Sequence, residues 1–172
     1  DRAVCGPFSF TLEHGERLAL NGKNGSGKSS LLKLILGEDI KKTGTISIGS
    51  GLIISYVSQD TSHLSGTLSD YASQCRIDES LFKAILRKLD FERIQFTKDM
   101  AQFSGGQKKK VLIAKSLCEQ AHLYLWDEPL NFIDIYSRMQ IEQLILYFRP
   151  TMIFVEHDRA FRETIATKTL EL

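Results

Sequence analysis

The fold class is decided by one stretch of the chain, Gly22-Lys23-Asn24-Gly25-Ser26-Gly27-Lys28-Ser29. It fits the pattern G-x-x-x-x-G-K-[ST] at every position, between a predicted strand over Arg17–Leu20 and a predicted helix over Ser29–Leu36. Glycines let such a loop wrap closely around phosphate groups, and backbone N–H groups at the helix start point towards that negative charge. Lys28 is predicted to reach the β- and γ-phosphates, and the Ser29 hydroxyl to hold Mg²⁺. The alternative is a glycine-rich turn without a ligand, which a complete match in this context disfavours.

The segments around this loop alternate between strand-like and helix-like patterns. Leu123–Trp126 and Met152–Val155 are continuous apolar runs, typical of strands that are buried on both faces of a parallel sheet. Further strands are predicted at Phe8–Leu12, Thr45–Ile48, Leu52–Val57 and Lys168–Leu172. Further helices are predicted from about Thr67 to Phe96, from Ser104 to about Cys118, over a segment that ends before Pro150, and at Arg159–Ala166. This order predicts an α/β fold with a mostly parallel sheet and one helical insertion at about residues 66–118.

The composition predicts one compact globular domain. The chain has 172 residues, 42% of them hydrophobic, and a formal net charge of +1, which argues against disorder and against a broad charged surface for nucleic acid or membrane. No apolar run reaches the roughly 18 residues of a membrane-spanning helix, and no signal peptide precedes the first strand. Cys5, Cys75 and Cys118 form no C-x-x-C pair, which predicts a reduced, cytoplasmic protein. The start at Asp1 rather than Met favours a fragment of a longer chain.

Two carboxylates follow the apolar run Leu123–Trp126. Asp127 is predicted to lie beside the metal ion and help hold Mg²⁺, and Glu128 to orient or deprotonate an attacking water molecule. Carboxylates after strands often only cap a turn, so the pair alone is weak evidence. The phosphate-binding loop in the same chain favours the functional interpretation.

A second glycine pair, in Phe103-Ser104-Gly105-Gly106-Gln107, is predicted to start a helix. Ser104 is a good N-cap, and exposed backbone N–H groups make this helix start a candidate second anion site; a plain capped helix is the alternative. The stretch resembles the Leu-Ser-Gly-Gly-Gln signature of the ATP-binding cassette (ABC) ATPases, and the other motifs follow in that family's order over nearly the whole chain. The resemblance implies the fold of that family, a P-loop NTPase fold with an antiparallel β portion beside the mostly parallel core sheet.

The resemblance also implies roles for three residues outside these motifs. Gln59 is similar to the family's Q-loop glutamine, which bridges metal, water and the helical subdomain; Asp134 lies at the D-loop position; and His157 looks like the switch histidine that contacts the γ-phosphate. Taken singly, Gln59 or His157 would more often be a surface or structural residue. The implied site for ATP and Mg²⁺ has the catalytic residues Glu128, His157 and Gln59 and the metal ligands Ser29, Gln59 and Asp127. Its nucleotide-binding residues are Gly22, Asn24, Gly25, Ser26, Gly27, Lys28, Ser29, Ser30, Ser104, Gly105, Gly106, Gln107 and Asp134.

A partner follows from the same resemblance. In that family the signature of one cassette completes the ATP site of another, and this chain carries one copy of each motif. It therefore needs a second ABC cassette, either in the same full-length chain or in a homodimer. The isolated domain is expected to be a weak ATPase.

The branch of the family is indicated by Glu128-Pro129-Leu130-Asn131-Phe132-Ile133-Asp134, which resembles Glu-Pro-Thr-Asn-His-Leu-Asp of the ABC-F proteins. These are tandem cassettes that act on ribosomes and lack membrane domains. The inner Leu-Asn-Phe-Ile looks like the Vga/Lsa-type antibiotic-resistance members, and Glu156-His157-Asp158-Arg159-Ala160-Phe161 is similar to the segment that ABC-F proteins carry there. This implies a C-terminal cassette, the ribosome and its RNA as partners of the full-length protein, and protection against lincosamide, streptogramin A and pleuromutilin drugs.

Two other functions are weighed against this one. The first is the nucleotide-binding subunit of an ABC membrane transporter, which shares all the ATP chemistry and differs in its partner. The second is an ATP-binding scaffold without hydrolysis, which the presence of Lys28, Glu128 and His157 disfavours.

Several residues depart from the family pattern. Phe103 replaces the signature leucine, and Ser30 replaces the usual threonine but keeps its hydroxyl. Phe8 and Phe10 alternate with polar residues, so we expect core packing rather than stacking on adenine. The run Lys108-Lys109-Lys110, which suggests a ribosomal RNA contact, is interpreted as a solvated helix face near the bound phosphates.

Overall fold

The computed structural model describes residues 6–172 and divides them into two compact units. The first, called the sheet unit, comprises residues up to 56, residues 121–128 and residues 149–172; the second, called the helical unit, comprises residues 57–120 and 129–148. The predictions that rest on Asp1 and Cys5 lie outside the described residues. Residues 66–118 lie within the helical unit, and their assignment as a helical insertion in a single cassette domain over the whole chain stays a prediction.

The elements alternate along the chain as the sequence patterns predict. In residues 6–172 they are β1 (Arg17–Asn21), α1 (Lys28–Ile35), β2 (Ile54–Val57), α2 (Leu68–Gln74), α3 (Glu79–Lys88), two 3₁₀ helices (Arg93–Thr97 and Met100–Gln102), α4 (Gly105–Cys118), β3 (Leu123–Asp127), α5 (Ile135–Phe148), β4 (Met152–Val155), α6 (Arg159–Ile165) and β5 (Lys168–Glu171). The strands form one sheet in the order β2-β3-β4-β1-β5. β4 pairs in parallel with β3 and β1, and β1 pairs in parallel with β5. The α/β fold with a parallel sheet is confirmed.

The central strands of the sheet unit are buried along nearly their whole length. Every residue of β4 is buried, and β1 is exposed only partly and only at its two ends. This burial explains why β3 and β4 are continuous apolar runs rather than alternating patterns. Helix α1 packs on the sheet and shares one apolar core with it, made by Leu18, Leu20, Leu31, Leu32, Ile35, Leu123, Leu125, Ile153 and Val155.

The register of these strands brings three chain segments to one edge of the sheet. Val155 of β4 lies opposite Leu20 of β1 on one side and Asp127 of β3 on the other. All three strands are parallel, so the loops that follow their carboxyl ends emerge at that edge, where ligands of open α/β sheets bind. The loop after β1 is the stretch at residues 22–27, called the P-loop below.

The helical unit has a core of its own around α3 and α4. Phe82 and Leu86 of α3 are fully buried, and so is Ile113 of α4. The Phe91 and Phe103 rings meet edge to face with their centroids 5.6 Å apart. Helix α4 is buried on most of its sides and packs against α3.

Side-chain caps explain where the helices of this unit begin. Thr67 caps α2 by accepting a hydrogen bond from the Asp70 N–H, and Asp78 caps α3 by accepting one from the Leu81 N–H. The region from about Thr67 to Phe96, which is predicted as helix, therefore contains two α-helices and a 3₁₀ helix. Arg76, with φ +55°, stops α2, and Asp78 starts a separate helix two residues later.

Two predicted strands are absent from the described residues. Phe8–Leu12 and Thr45–Ile48 adopt no strand, and the antiparallel β portion is not found in residues 6–172. Alternating apolar residues form a strand only when a neighbouring strand pairs with their backbone groups. Ile46 and Ile48 accordingly lie exposed. Phe10 packs against the core of the sheet unit, as predicted, but Phe8 is exposed, which corrects its predicted core position.

No helix within residues 6–172 is both long enough and apolar enough to cross a membrane.

Cys75 and Cys118 are free thiols. Burial, with a smaller contribution from nearby Asp78 and Glu119, raises the pKa of the Cys118 thiol to about 11, so this thiol is protonated at neutral pH.

Candidate functional site

The P-loop connects β1 to α1 through backbone conformations that require glycine. Gly27, the N-cap of α1, has φ +96°, and Gly22 has φ +149°. A Cβ atom at Gly22 would lie 2.5 Å from the Leu172 carbonyl oxygen and 2.7 Å from Ser26 Oγ, so a side chain does not fit there. The strand–loop–helix arrangement is as predicted. Asn24 and Gly25 are exposed, while Ser26, Ser29 and Ser30 are half-buried.

Two polar side chains, one in this loop and one at the start of α1, have the chemistry of a phosphate cradle. Lys28 is only 7% exposed, and its ammonium group donates to the carbonyl oxygens of Gly22 at 2.8 Å and Lys23 at 2.9 Å. The Ser26 hydroxyl is buried and has no hydrogen-bond partner. A buried polar group without a partner costs free energy that a ligand oxygen would recover. The residues present therefore fit a phosphate group.

Asp127 and Ser29 supply oxygen atoms of the kind that Mg²⁺ prefers. Asp127 ends β3 and is 2% exposed, and Ser29 lies in the first turn of α1. Burial first, and then the charges of Asp127 and Glu38, raise the pKa of Tyr56 to about 12, so Tyr56 stays neutral beside Asp127. Within residues 6–172 no three His, Cys, Asp or Glu side chains form a metal cage. Mg²⁺ usually binds through one or two carboxylates plus substrate phosphates, and this donor set fits that mode.

Glu128 and His157 are brought together at the carboxyl edge of the sheet. The Glu128 N–H donates to the Val155 carbonyl oxygen at 2.9 Å, which extends the β3–β4 pairing by one residue. His157 Nε2 lies 3.2 Å from Glu128 Oε1, within hydrogen-bond distance when that nitrogen carries a proton. The imidazole is half exposed and the carboxylate mostly buried. A carboxylate in this position can accept a proton from water, and the neighbouring imidazole can hold the carboxylate in the orientation that this requires.

Glu156 holds the His157 backbone in place and was missed by the sequence analysis. Its carboxylate Oε1 accepts hydrogen bonds from the N–H of His157 at 2.7 Å and of Asp158 at 3.2 Å, and the residue is buried. Asp158 in turn caps α6 by accepting from the Phe161 N–H. The available signal was an acidic residue directly after a buried strand, because a carboxylate in that position is buried only if N–H groups satisfy it.

The helical unit contains the second predicted motif. Ser104 Oγ accepts from the Gln107 N–H at 3.2 Å, and Gln107 Oε1 accepts from the Ser104 N–H at 3.0 Å, so the two side chains form a capping box at the start of α4. Gly105 is exposed and Gly106 buried. The helix start is as predicted, and an anion site there stays a prediction.

Two lysines of α4 contradict the interpretation of Lys108–Lys110 as a solvated face. Lys109 is 2% exposed and donates to the Ser58 carbonyl oxygen at 2.8 Å, and Lys110 is also buried. A charged side chain is buried only when it is paired or hydrogen-bonded. Leu112 and Ile113, three and four positions after Lys109, place apolar residues on the same side of α4, but the Ser58 carbonyl that allows the burial is distant in sequence. A run of charge is therefore not by itself evidence of exposure.

Asp134 lies just before α5 and is the partner of Lys110. Asp134 Oδ2 lies 2.7 Å from Lys110 Nζ and 2.8 Å from Ser137 Oγ, while Oδ1 accepts from the Ser137 N–H at 2.8 Å. Burial alone would raise the pKa of Asp134, but the hydrogen bonds from Lys110 and Ser137 outweigh it and lower that pKa to about 2. Asp134 is therefore ionised at neutral pH.

Gln59 follows β2 and lies exposed in the helical unit, next to the Ser58 carbonyl that Lys109 binds. Its roles at the metal and at the attacking water stay predictions. The same holds for the nucleotide contacts of Ser104, Gly105, Gly106, Gln107 and Asp134.

The geometry and order of these motifs define an ATPase class, and comparison with known proteins agrees. The ABC transporter family matches residues 5–131, which is most of the chain, and the chain belongs to that family. It is an ABC ATPase domain, and ABC-F proteins are among its relatives.

Three relatives illustrate the similarity. The ATP-binding protein Uup of Buchnera aphidicola subsp. Acyrthosiphon pisum is 35% identical over 98% of this chain and 30% of its own length. The ribosome protection protein VmlR of Bacillus subtilis is 30% identical over 99% of the chain and 31% of its own length, and ABC transporter F family member 2 of Arabidopsis thaliana is 30% identical over 100% and 26%. The chain spans less than a third of each relative.

Solved structures show the same architecture. An RNase-L inhibitor matches with a TM-score of 0.78 and 26% identity, over 93% of this chain and 32% of that one. The ATP-binding subunit of an ABC transporter matches with a TM-score of 0.82, over 98% of this chain and 79% of that one. Its identity of 23% supports the fold alone.

Proposed function

We propose that this chain is the ATP-binding and hydrolysing cassette of an ABC-F protein. The observation that carries the proposal is the contact between Glu128 and His157 at the edge of the sheet from which the P-loop also emerges. A P-loop alone indicates nucleotide binding. A carboxylate with an accessible imidazole at the same edge supplies the groups that hydrolysis needs.

In this function different residues of the chain bind the phosphates, the metal ion and the attacking water. The N–H groups of the P-loop and the Lys28 ammonium hold the phosphates, with Lys28 released from the Gly22 and Lys23 carbonyls. Ser29, Asp127 and Gln59 are the residues that would hold Mg²⁺, which when bound neutralises charge on the phosphates. Glu128 positions the attacking water and accepts its proton, and His157 contacts the terminal phosphate.

A second cassette completes the site. The start of α4, with Ser104 and Gly106, would act on ATP held by that partner, together with Asp134. The partner is either a second cassette of the same full-length protein or a second copy of this chain. The support is the single copy of each motif in the sequence.

Among ABC-F proteins, we propose that the chain is the C-terminal cassette of a Vga/Lsa-type ribosome-protection factor in the cytoplasm. This proposal is supported by the Leu130–Asp134 and Glu156–Phe161 segments and by the similarity to VmlR, a protein named for ribosome protection. The full-length protein would then bind the ribosome and its RNA, and protect it against lincosamide, streptogramin A or pleuromutilin drugs.

The transporter subunit is the second candidate, supported by the match of residues 5–131 to the ABC transporter family. The complete reading frame separates the two candidates, because a second cassette in the same polypeptide supports an ABC-F protein and a membrane domain contradicts it. Co-sedimentation of the full-length protein with ribosomes, in the presence of a non-hydrolysable ATP analogue, tests the partner directly.

The first test of the proposal is whether the chain binds nucleotide. Millimolar Mg-ATP should raise the thermal midpoint of the wild-type chain, because a ligand that binds only the native state stabilises it. Lys28→Ala should remove most of that rise, since it deletes a charge-assisted contact to phosphate. Lys33→Ala, which removes an exposed lysine from the same helix, is the matched control and should keep it. A wild-type chain with no nucleotide-dependent shift contradicts the proposal.

A further inference from the structure

Lys110 links two segments of the helical unit that are distant in sequence. It lies in the second turn of α4, its side chain is 9% exposed, and its ammonium group is 2.7 Å from Asp134 Oδ2. Asp134 ends the segment Leu130–Asp134, which leads into α5. The ion pair therefore ties that segment to the helix that begins with the glycine pair.

The same segment meets α4 at a second point. A Cβ atom at Gly106 would clash with the Phe132 carbonyl oxygen, and one at Gly105 would lie 3.4 Å from the Phe132 ring. Phe132 itself has φ +65° and an exposed ring. The Leu130–Asp134 segment thus rests on the first turn of α4 through Phe132 and is tied to its second turn through Asp134.

Helix stability does not account for a lysine at this position. A positive charge near the N-terminus of a helix opposes the helix dipole, and burial of the ammonium group adds a desolvation cost. The ionised Asp134 carboxylate, held also by Ser137, offsets both. The Ser137 N–H and hydroxyl both donate to the Asp134 carboxylate, so the partner of Lys110 is itself held in place.

We propose that Lys110 is a positioning residue for ATP hydrolysis. By binding Asp134, it holds the Leu130–Asp134 segment against the start of α4, so that Ser104, Gly106 and Asp134 meet the nucleotide of the second cassette as one preformed surface. The inference rests on the proposed function, in which both segments face that nucleotide. Preorganised groups stabilise a transition state without reordering at the moment of reaction, so loosening them lowers kcat.

The test compares three variants in the full-length protein that contains this chain. In Lys110→Met the kcat for ATP should fall about tenfold or more with little change in KM, because the P-loop lies in the sheet unit and keeps its contacts. Lys110→Arg should restore kcat, since a guanidinium group also pairs with a carboxylate. Lys108→Met removes the neighbouring, half-buried lysine of the same helix and should leave kcat and KM unchanged. Hydrogen exchange in residues 130–134 should accelerate in Lys110→Met alone.

The outcomes separate the inference from the proposed function. A wild-type protein without ATP turnover overturns both. An active wild type overturns the inference alone in three cases: Lys110→Met keeps the wild-type kcat, exchange in residues 130–134 is unchanged, or Lys110→Arg fails to recover turnover. A lower kcat in Lys110→Met, with an unchanged KM, faster local exchange and rescue by Lys110→Arg, supports the positioning role.

Discussion

Glu128 occupies a backbone conformation that few residues other than glycine adopt. Its φ is +47°, in the left-handed region, which costs about 1–2 kcal/mol for a residue with a side chain. A hydrogen bond from the Glu128 N–H to the Val155 carbonyl oxygen offsets this cost and holds Glu128 one position beyond the end of β3. In this conformation the carboxylate reaches His157. Strain that persists at a catalytic candidate is consistent with a position selected for chemistry rather than stability.

Replacing Glu128 tests its role as the base. Glu128→Gln preserves shape and hydrogen bonding but removes the carboxylate that accepts the proton, so turnover in the full-length protein should fall by about 10² or more while Mg-ATP binding persists. A phosphate-release assay measures turnover, and thermal shift measures binding. Glu163→Gln, which changes an exposed carboxylate of α6, is the control and should behave as wild type. Turnover that survives Glu128→Gln would exclude the proposed role.

At the scale of elements, the beginning of α4 has a structural role and a proposed functional role. The Ser104–Gln107 capping box satisfies N–H groups that the helix leaves without partners, and the buried body of α4 anchors the helical unit. The same first turn carries Gly106, whose lack of a side chain lets the Phe132 backbone approach. The cap residue is thus both a stabilising group and a candidate nucleotide ligand.

Comparing two caps separates these roles. Ser104→Ala and Thr67→Ala each delete a side-chain cap in the helical unit, so each should destabilise the chain by about 1 kcal/mol in denaturant unfolding. Only Ser104→Ala should also reduce ATP turnover in the full-length protein, because Thr67 lies outside the predicted nucleotide contacts. Equal losses of turnover in the two variants would show that Ser104 acts through stability alone.

At the scale of the whole molecule, the predicted ATP machinery is divided between the two units. The P-loop, Glu128 and His157 belong to the sheet unit, and the signature, Gln59 and Asp134 belong to the helical unit. Each motif is present once. In the proposed function the signature of one cassette serves the P-loop of another, so a solitary copy lacks part of its own site.

Self-sufficiency of the isolated chain is therefore testable. We expect a monomer without nucleotide and at best weak ATP-dependent dimerisation, because association costs several kcal/mol before any contact contributes and two copies need not fit as two different cassettes do. Sedimentation at micromolar protein, with Glu128→Gln to trap bound ATP, measures the assembly. Phosphate release per chain should fall as the protein is diluted. Robust turnover that stays first order in protein down to nanomolar concentration would overturn the composite site.

The sequence by itself determined the features whose physical causes are local. The P-loop was predictable because this glycine pattern between a strand and a helix start is typical of phosphate binding. Asp127 and Glu128 were predictable because the carboxyl end of a buried parallel strand lies at the same edge of the sheet as that loop. The start of α4 was predictable from Ser104 and Gln107, since a capping box needs only residues three positions apart.

Only the tertiary structure decided the features that depend on distant partners. Lys109 and Lys110 form part of a charge run in the sequence, and their burial follows from Ser58 and Asp134, which the fold brings to α4. The alternating pattern of Thr45–Ile48 forms no strand in the described residues, because a strand exists only with a neighbour to pair with. Local propensity specifies which conformations a segment can adopt, whereas long-range pairing decides which charges are buried and which patterns become strands.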